Sequence, residues 1–228
     1  MSPIEKFKAA LSGSEIQVLH QCLQQAMQPL PKESVPWYLG GSHTATGHLT
    51  PLHAKALQQL SAQWVQLPLG LRWDTQEGTP SSRSLALAEW VKKLHDQGHV
   101  TGWRNEKFSF WEDQVIGLGK HSLEPTSHLP AAFEMERSAF RFFGLRSHAV
   151  HVNGFTLEGH VWCGRRAQTK ATDPGMLDNI AAGGLPVGES LQTCGVREMA
   201  EEAGISEALA MTAVAHGKVS TCRSVATG

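Results

Sequence analysis

The chain has 228 residues, of which 41% are hydrophobic and 18% charged, and its net charge is −1. That composition supplies a core and excludes a polyanion-coating surface, so nucleic acid is not an expected partner. No apolar run approaches the roughly 20 residues needed to cross a bilayer.

No signal-type apolar stretch follows Met1, so a cytoplasmic location is the expectation, with no membrane partner. Cys22, Cys163, Cys194 and Cys222 lie far apart and read as reduced, mostly buried thiols. The first helix is predicted after a cap at Ser14, with Ile16, Leu19, Leu23 and Ala26 at helical spacing up to Pro29. Thr50-Pro51 opens a second helix, with Pro at its first position and a stripe of Leu52, Ala56, Leu60 and Trp64. Ser84 is the expected cap of a third helix through Leu87, Trp90, Val91 and Leu94, closed near Gly98. Residues 40–41 and 68–78 read as loops, and 103–111 as a strand. A Gly- and Pro-bearing linker is expected over 117–130, and a helix over 131–143. Strands follow at 147–156, 160–165 and 180–182. The dispersed tryptophans read as core residues.

The sharpest pattern begins at Gly183. Five residues separate it from Glu189, seven more lead to Arg197, and then Glu198-Met199-Ala200-Glu201-Glu202-Ala203-Gly204-Ile205 follows. A helix from Glu189 or Ser190 to Gly204 puts Glu198, Glu201 and Glu202 at i, i+3 and i+4, on one face. Leu191, Gly195, Met199 and Ala203 then form an inward stripe. Three like charges repel, so a counter-charge is expected. A hard divalent cation such as Mg²⁺ or Mn²⁺ suits oxygen ligands, and Arg197 offers internal compensation by pairing with Glu189. Gly183 and Gly184 allow the backbone to approach a ligand closely. The Ala182 carbonyl, just ahead of them, is a further candidate metal ligand.

This pattern resembles the signature of the Nudix hydrolases. The resemblance implies a Mg²⁺-dependent hydrolase (an enzyme acting on acid anhydrides) that cleaves a diphosphate linked to another moiety. Glu198, Glu201 and Glu202 would hold metal, and Glu198, Glu201, Arg197 and Glu189 would form the catalytic set, with the base left open between Glu201 and Glu198. Gly164-Arg165-Arg166, Lys170, residues 173–179 and Ala181-Ala182-Gly183-Gly184 are similar to one branch, related to the Nudix region that some fungi fuse to thiamine pyrophosphokinase. That likeness implies thiamine diphosphate, or damaged and oxidised thiamine diphosphates, as substrate, with the monophosphate and phosphate as products. Arg165, Arg166, Gly183 and Gly184 are the candidate substrate contacts.

The implied fold is α/β. A smaller helical or α+β accessory domain over 1–120 precedes a Nudix α/β/α sandwich over 121–228, incomplete at its C-terminal end. A nucleoside diphosphate derivative such as ADP-ribose is the alternative substrate, and a non-catalytic binding module the alternative role. A homodimer is an open expectation.

Overall fold

The computed structural model describes residues 1–75, 78–112, 130–169 and 173–222. They divide into two compact units. One comprises Pro31–His148 with Leu185–Gly188, and the other Met1–Leu30, Ala149–Gly184 and Glu189–Gly228. The boundary expected near residue 120, and nearly all of the expected linker, lie outside the described residues. The units divide at His148, and the first 30 residues group with the second unit.

The 31–148 unit is α+β. Strands β1 (Val35–Leu39), β2 (Gly47–Leu49), β3 (Trp64–Leu67) and β4 (Gly70–Trp73) form a sheet in the order β2-β1-β4-β3. Only β1 and β4 run parallel; β1 pairs antiparallel with β2, and β4 with β3. Much of the loop expected over 68–78 is thus the β3–β4 hairpin. Helix α3 (Pro51–Leu60) starts as the Thr50-Pro51 pair predicts, with the Thr50 hydroxyl accepting from the His53 amide. Its buried face differs from the expected stripe. His53, Ala54, Ala56 and Leu57 point inward, Leu52 is exposed, and Trp64 belongs to β3. Helix α4 (Pro80–Asp96) begins one turn before Ser84, because Thr79 supplies the cap and Pro80 the first position. Ser84 instead accepts from the Glu134 amide at 2.8 Å. Leu87, Trp90, Val91 and Leu94 are buried as their spacing requires, and Gly98, just past the helix, has φ +80°.

The segment 131–143 departs most from its sequence reading. It makes strand β6 (Phe133–Glu136), paired with β5 (Lys107–Phe110), and then the single turn α5 (Ala139–Phe142). Pairing with β5 and burial of Phe133 and Met135 against the core override the helical spacing. Glu136 explains the sharp change of direction. Its buried carboxylate accepts from the amides of Arg104, Glu106 and Ser138.

Aromatic rings fill this core. Trp64 stacks on Trp73 at 5.9 Å and meets Trp37 edge-on at 5.3 Å, while Trp73 meets Trp90 at 5.1 Å. The buried Trp37 indole donates to the Phe143 carbonyl at 2.8 Å.

The second unit opens with helices α1 (Pro3–Ala10) and α2 (Gly13–Ala26). Ser2 with Glu5, and Ser12 with Glu15, form capping boxes. The cap of α2 is therefore Ser12, two residues ahead of the expected Ser14, and α1 was not foreseen in the sequence. The remaining strands are short antiparallel pairs: β7 (Ala149–Val152) with β12 (Ala181–Gly184), β8 (Gly154–Phe155) with β9 (Val161–Trp162), and β10 (Gly164–Arg165) with β11 (Leu177–Asp178). Helices α6 (Leu191–Ala203) and α7 (Glu207–Ala210) complete the described elements. Ala181, Met199 and Ala210 form a small core with Val152, Val196 and Ile205. Of the cysteines only Cys194 is buried; Cys22 and Cys163 are exposed, which corrects the expectation of mostly buried thiols. Among the described residues no helix is long and apolar enough to cross a membrane.

Candidate active site

Helix α6 and strand β12 build the site. Ser190 caps α6 by accepting from the Thr193 amide at 3.0 Å, and Gly204 ends it in the left-handed region at φ +63°. The buried positions are Cys194, Gly195 and Met199. Gly195 and Met199 belong to the expected stripe, but Ala203 is exposed and Cys194 takes a place in the core instead.

Side chains alternate along β12, so Ala181 and Gly183 share a face. Ala181 packs with Met199, and Gly183 lies under Glu198. A Cβ on Gly183 would collide with the carboxyl group and Cγ of Glu198. Glycine therefore lets the carboxylate rest directly on the strand backbone.

Arg197 gathers the acids. Its Nε and Nη2 donate to the two oxygens of Glu189 at 2.8 and 3.1 Å, a bidentate pair. Its Nη1 donates to Glu198 Oε1 at 2.8 Å and to Glu201 Oε2 at 3.2 Å. The hydrogen bond to Glu189, ahead of that to Glu198, pushes the guanidinium pKa further above its ordinary value. Glu202 is held separately, accepting from the Ala182 amide at 2.9 Å. The Glu198 carboxylate is the most enclosed of the paired acids, with 13% of its side chain exposed against 58% for Glu201. Beneath them, burial pushes the Cys194 thiol up to about 11, and its S–H faces the Gly184 carbonyl at 3.4 Å.

The arginine pair is engaged locally. Arg165 donates to the Gly175 carbonyl at 2.8 Å, and Arg166 pairs with Asp178 at 2.5 Å. That bond, first among its causes, holds the Asp178 carboxyl below its ordinary range. Both arginines thus clamp the β10–β11 hairpin. Lys170 lies outside the described residues.

With this geometry in place, residues 146–223 match the family described as NUDIX domain. Those residues form a Nudix domain. Two Arabidopsis thaliana proteins, "Nudix hydrolase 20, chloroplastic" and "Nudix hydrolase 24, chloroplastic", are each 40% identical over 144 residues, which is 62% of this chain. The chain spans 35% and 36% of their lengths, about a third. An uncharacterized Saccharomyces cerevisiae protein is 32% identical over 115 residues, covering 48% of this chain and 29% of its own. The yeast relative agrees with the fungal kinship of the branch.

The donor chemistry of the Nudix domain suits a hard divalent cation: three carboxylates on one helical face, beside a strand backbone. Their present partners differ from that role. Among the described residues no three acidic, His or Cys side chains converge as a metal cage. Arg197 holds Glu198 and Glu201, and the Ala182 amide holds Glu202. Glu198, Glu201 and Arg197 therefore come together with Glu189, whereas Ala182 joins the group only through Glu202.

Two features escaped the sequence reading. Cys194 stands three and four residues before Arg197 and Glu198, on the same face, and that spacing was the available signal. Asn179 joins His151 at 2.8 Å and Asn153 at 2.6 Å, and this polar chain depends on the register that sets His151 opposite Ala182.

Proposed function

We infer that the Nudix domain is a hydrolase of diphosphates linked to another moiety. The observation that carries this reading is the Glu198 carboxylate, seated against Gly183 and neighboured by Glu201, with Arg197 fixed by both oxygens of Glu189. Glu198, Glu201, Glu202 and the Ala182 carbonyl are the residues that would hold Mg²⁺ or Mn²⁺. A bound divalent ion supplies neutralisation of phosphate charge and a more acidic water.

The chain's own residues do the rest. Glu189 orients Arg197, and Arg197 holds Glu198 and Glu201 close together. Either of those two carboxylates can take the proton of the attacking water, and the reading leaves the choice between them open. Gly184 is left to admit the diphosphate to the backbone, since the Glu198 carboxylate covers Gly183. Arg165 and Arg166 stand ready to meet its oxygens on leaving their hairpin partners.

Thiamine-type diphosphates are the leading substrates, on the likeness of residues 164–184 to that branch. The 31–148 unit acts as the accessory domain. A cytoplasmic location is part of the same reading, although the plant relatives are named chloroplastic.

A substrate panel read by phosphate release tests this. Thiamine diphosphate should be cleaved to the monophosphate with Mg²⁺, and EDTA should abolish the signal. Preferred cleavage of ADP-ribose would reassign the substrate. Absence of divalent-ion binding at about 1 mM would favour a non-catalytic module. Glu201→Gln and Glu202→Gln should each abolish turnover with the helical circular dichroism unchanged; full activity in both variants sinks the assigned roles.

A further inference from the structure

The 31–148 unit holds a cavity of about 450 Å³ that the reaction above does not use. The turn after β1 contributes Gly40, Gly41 and Ser42; Thr75 follows β4; Arg83 comes from the start of α4; and Glu112 follows β5. Its size lies within the roughly 300–1,000 Å³ of small-molecule sites.

Arg83 is the informative residue. Its Nε is buried and finds no acceptor among the described residues. Among the described residues its Nη1 reaches the Ala132 carbonyl alone, at 3.5 Å. A desolvated guanidinium donor without a partner destabilises the fold. Its planar fork suits the two oxygens of a phosphate or carboxylate. The hydroxyls of Ser42 and Thr75 add polar groups to the same wall.

The glycines keep this space open. Gly40 adopts φ +52°, and a side chain there would press on the Thr75 hydroxyl at 3.3 Å. Gly41 has neither constraint: its φ lies outside the left-handed region, and a Cβ there would meet no atom within 4 Å. Glu112 is exposed and makes no ion pair with Arg83 among the described residues, so the cavity presents opposite charges at two separate points.

We propose that this cavity binds a small oxyanion-bearing molecule, its phosphate or carboxylate on Arg83 and an ammonium or similar donor toward Glu112. The site stands apart from the hydrolase reading, because none of these residues lies within the matched segment 146–223.

Calorimetric titration of the full chain in EDTA tests it, with O-phosphoethanolamine, β-alanine and inorganic phosphate as probes. One or both of the first two should bind at a single site, and whichever is tighter identifies phosphate or carboxylate as the head group. Arg83→Met, which keeps the aliphatic stem, should weaken binding about tenfold. Gly41→Leu should also weaken it while leaving every charge in place, and it serves as the second variant if Arg83→Met does not fold. Glu112→Gln should weaken the two zwitterions and spare inorganic phosphate. Absence of heat from all three probes at about 10 mM overturns the proposal. So does unchanged affinity in folded Arg83→Met, or loss of binding in Glu198→Gln with Arg83→Met unaffected, which would place the ligand on the Nudix helix.

Discussion

Glu198 and Gly183 depend on each other at the scale of single residues. Gly183→Ala would drive a methyl group into the Glu198 carboxyl, so the acid must swing away from β12. Displacement of a catalytic group by about 1 Å commonly costs on the order of 100-fold, and a loss of that size is expected in kcat with the chain still folded. Phosphate-release kinetics at saturating Mg²⁺ would measure it, and an unimpaired kcat would remove Glu198 from the mechanism. Cys194 gives a second residue-level outcome. Buried, with its pKa at about 11, it should resist iodoacetamide at pH 8, while exposed Cys22 and Cys163 are alkylated, as read by peptide mass spectrometry. The folded thiol holds its proton more tightly than a free thiol at 9.0. Its effect on stability is therefore absent below pH 9, and stability falls as pH rises from there toward about 11.

Helix α6 and the β10–β11 hairpin respond to single substitutions in opposite senses. Gly195 lies inside α6, and a Cβ there would make an ordinary contact with Val150 at 3.4 Å. Gly195→Ala should stabilise the protein by about 0.5–1 kcal/mol, since alanine loses less backbone entropy in a helix. Urea unfolding would show a higher midpoint; a lower one would mean that β7 cannot yield at Val150. In the hairpin, Asp178→Asn removes the partner of Arg166 and should cost about 1 kcal/mol or less, because both groups are partly solvated. The Asp178 carboxyl is depressed, so its contribution is present above the ordinary value of 3.8 and is lost as pH falls through the folded pKa. The gap between variant and parent should close in acid. Elements were legible where a local signal sufficed. Thr50-Pro51 and the Gly204 stop needed only cap and turn chemistry, and both stand where spacing puts them. Residues 131–143 needed a partner strand, and helical periodicity there could not report that Phe133 would pair opposite Phe110.

For the whole molecule, the aromatic core of the 31–148 unit sets the stability that intrinsic fluorescence reports. Leu94 is fully buried, and Leu94→Ala should cost about 2–5 kcal/mol in an unfolding transition followed by tryptophan emission. Composition and motif spacing alone determined that the chain has a core, that α6 carries three carboxylates on one face, and that this helix follows the Gly183-Gly184 pair. Those features follow from helical geometry and backbone freedom, which act within a few residues. Only the tertiary structure decided which strand atoms the acids of α6 meet. The Ala182 amide holds Glu202, and Glu198 rests on Gly183, because β12 lies under α6. It also decided that the first 30 residues join the second unit and that Arg83 faces a cavity. Such contacts join residues on separate elements, and no local pattern encodes which of those groups will meet.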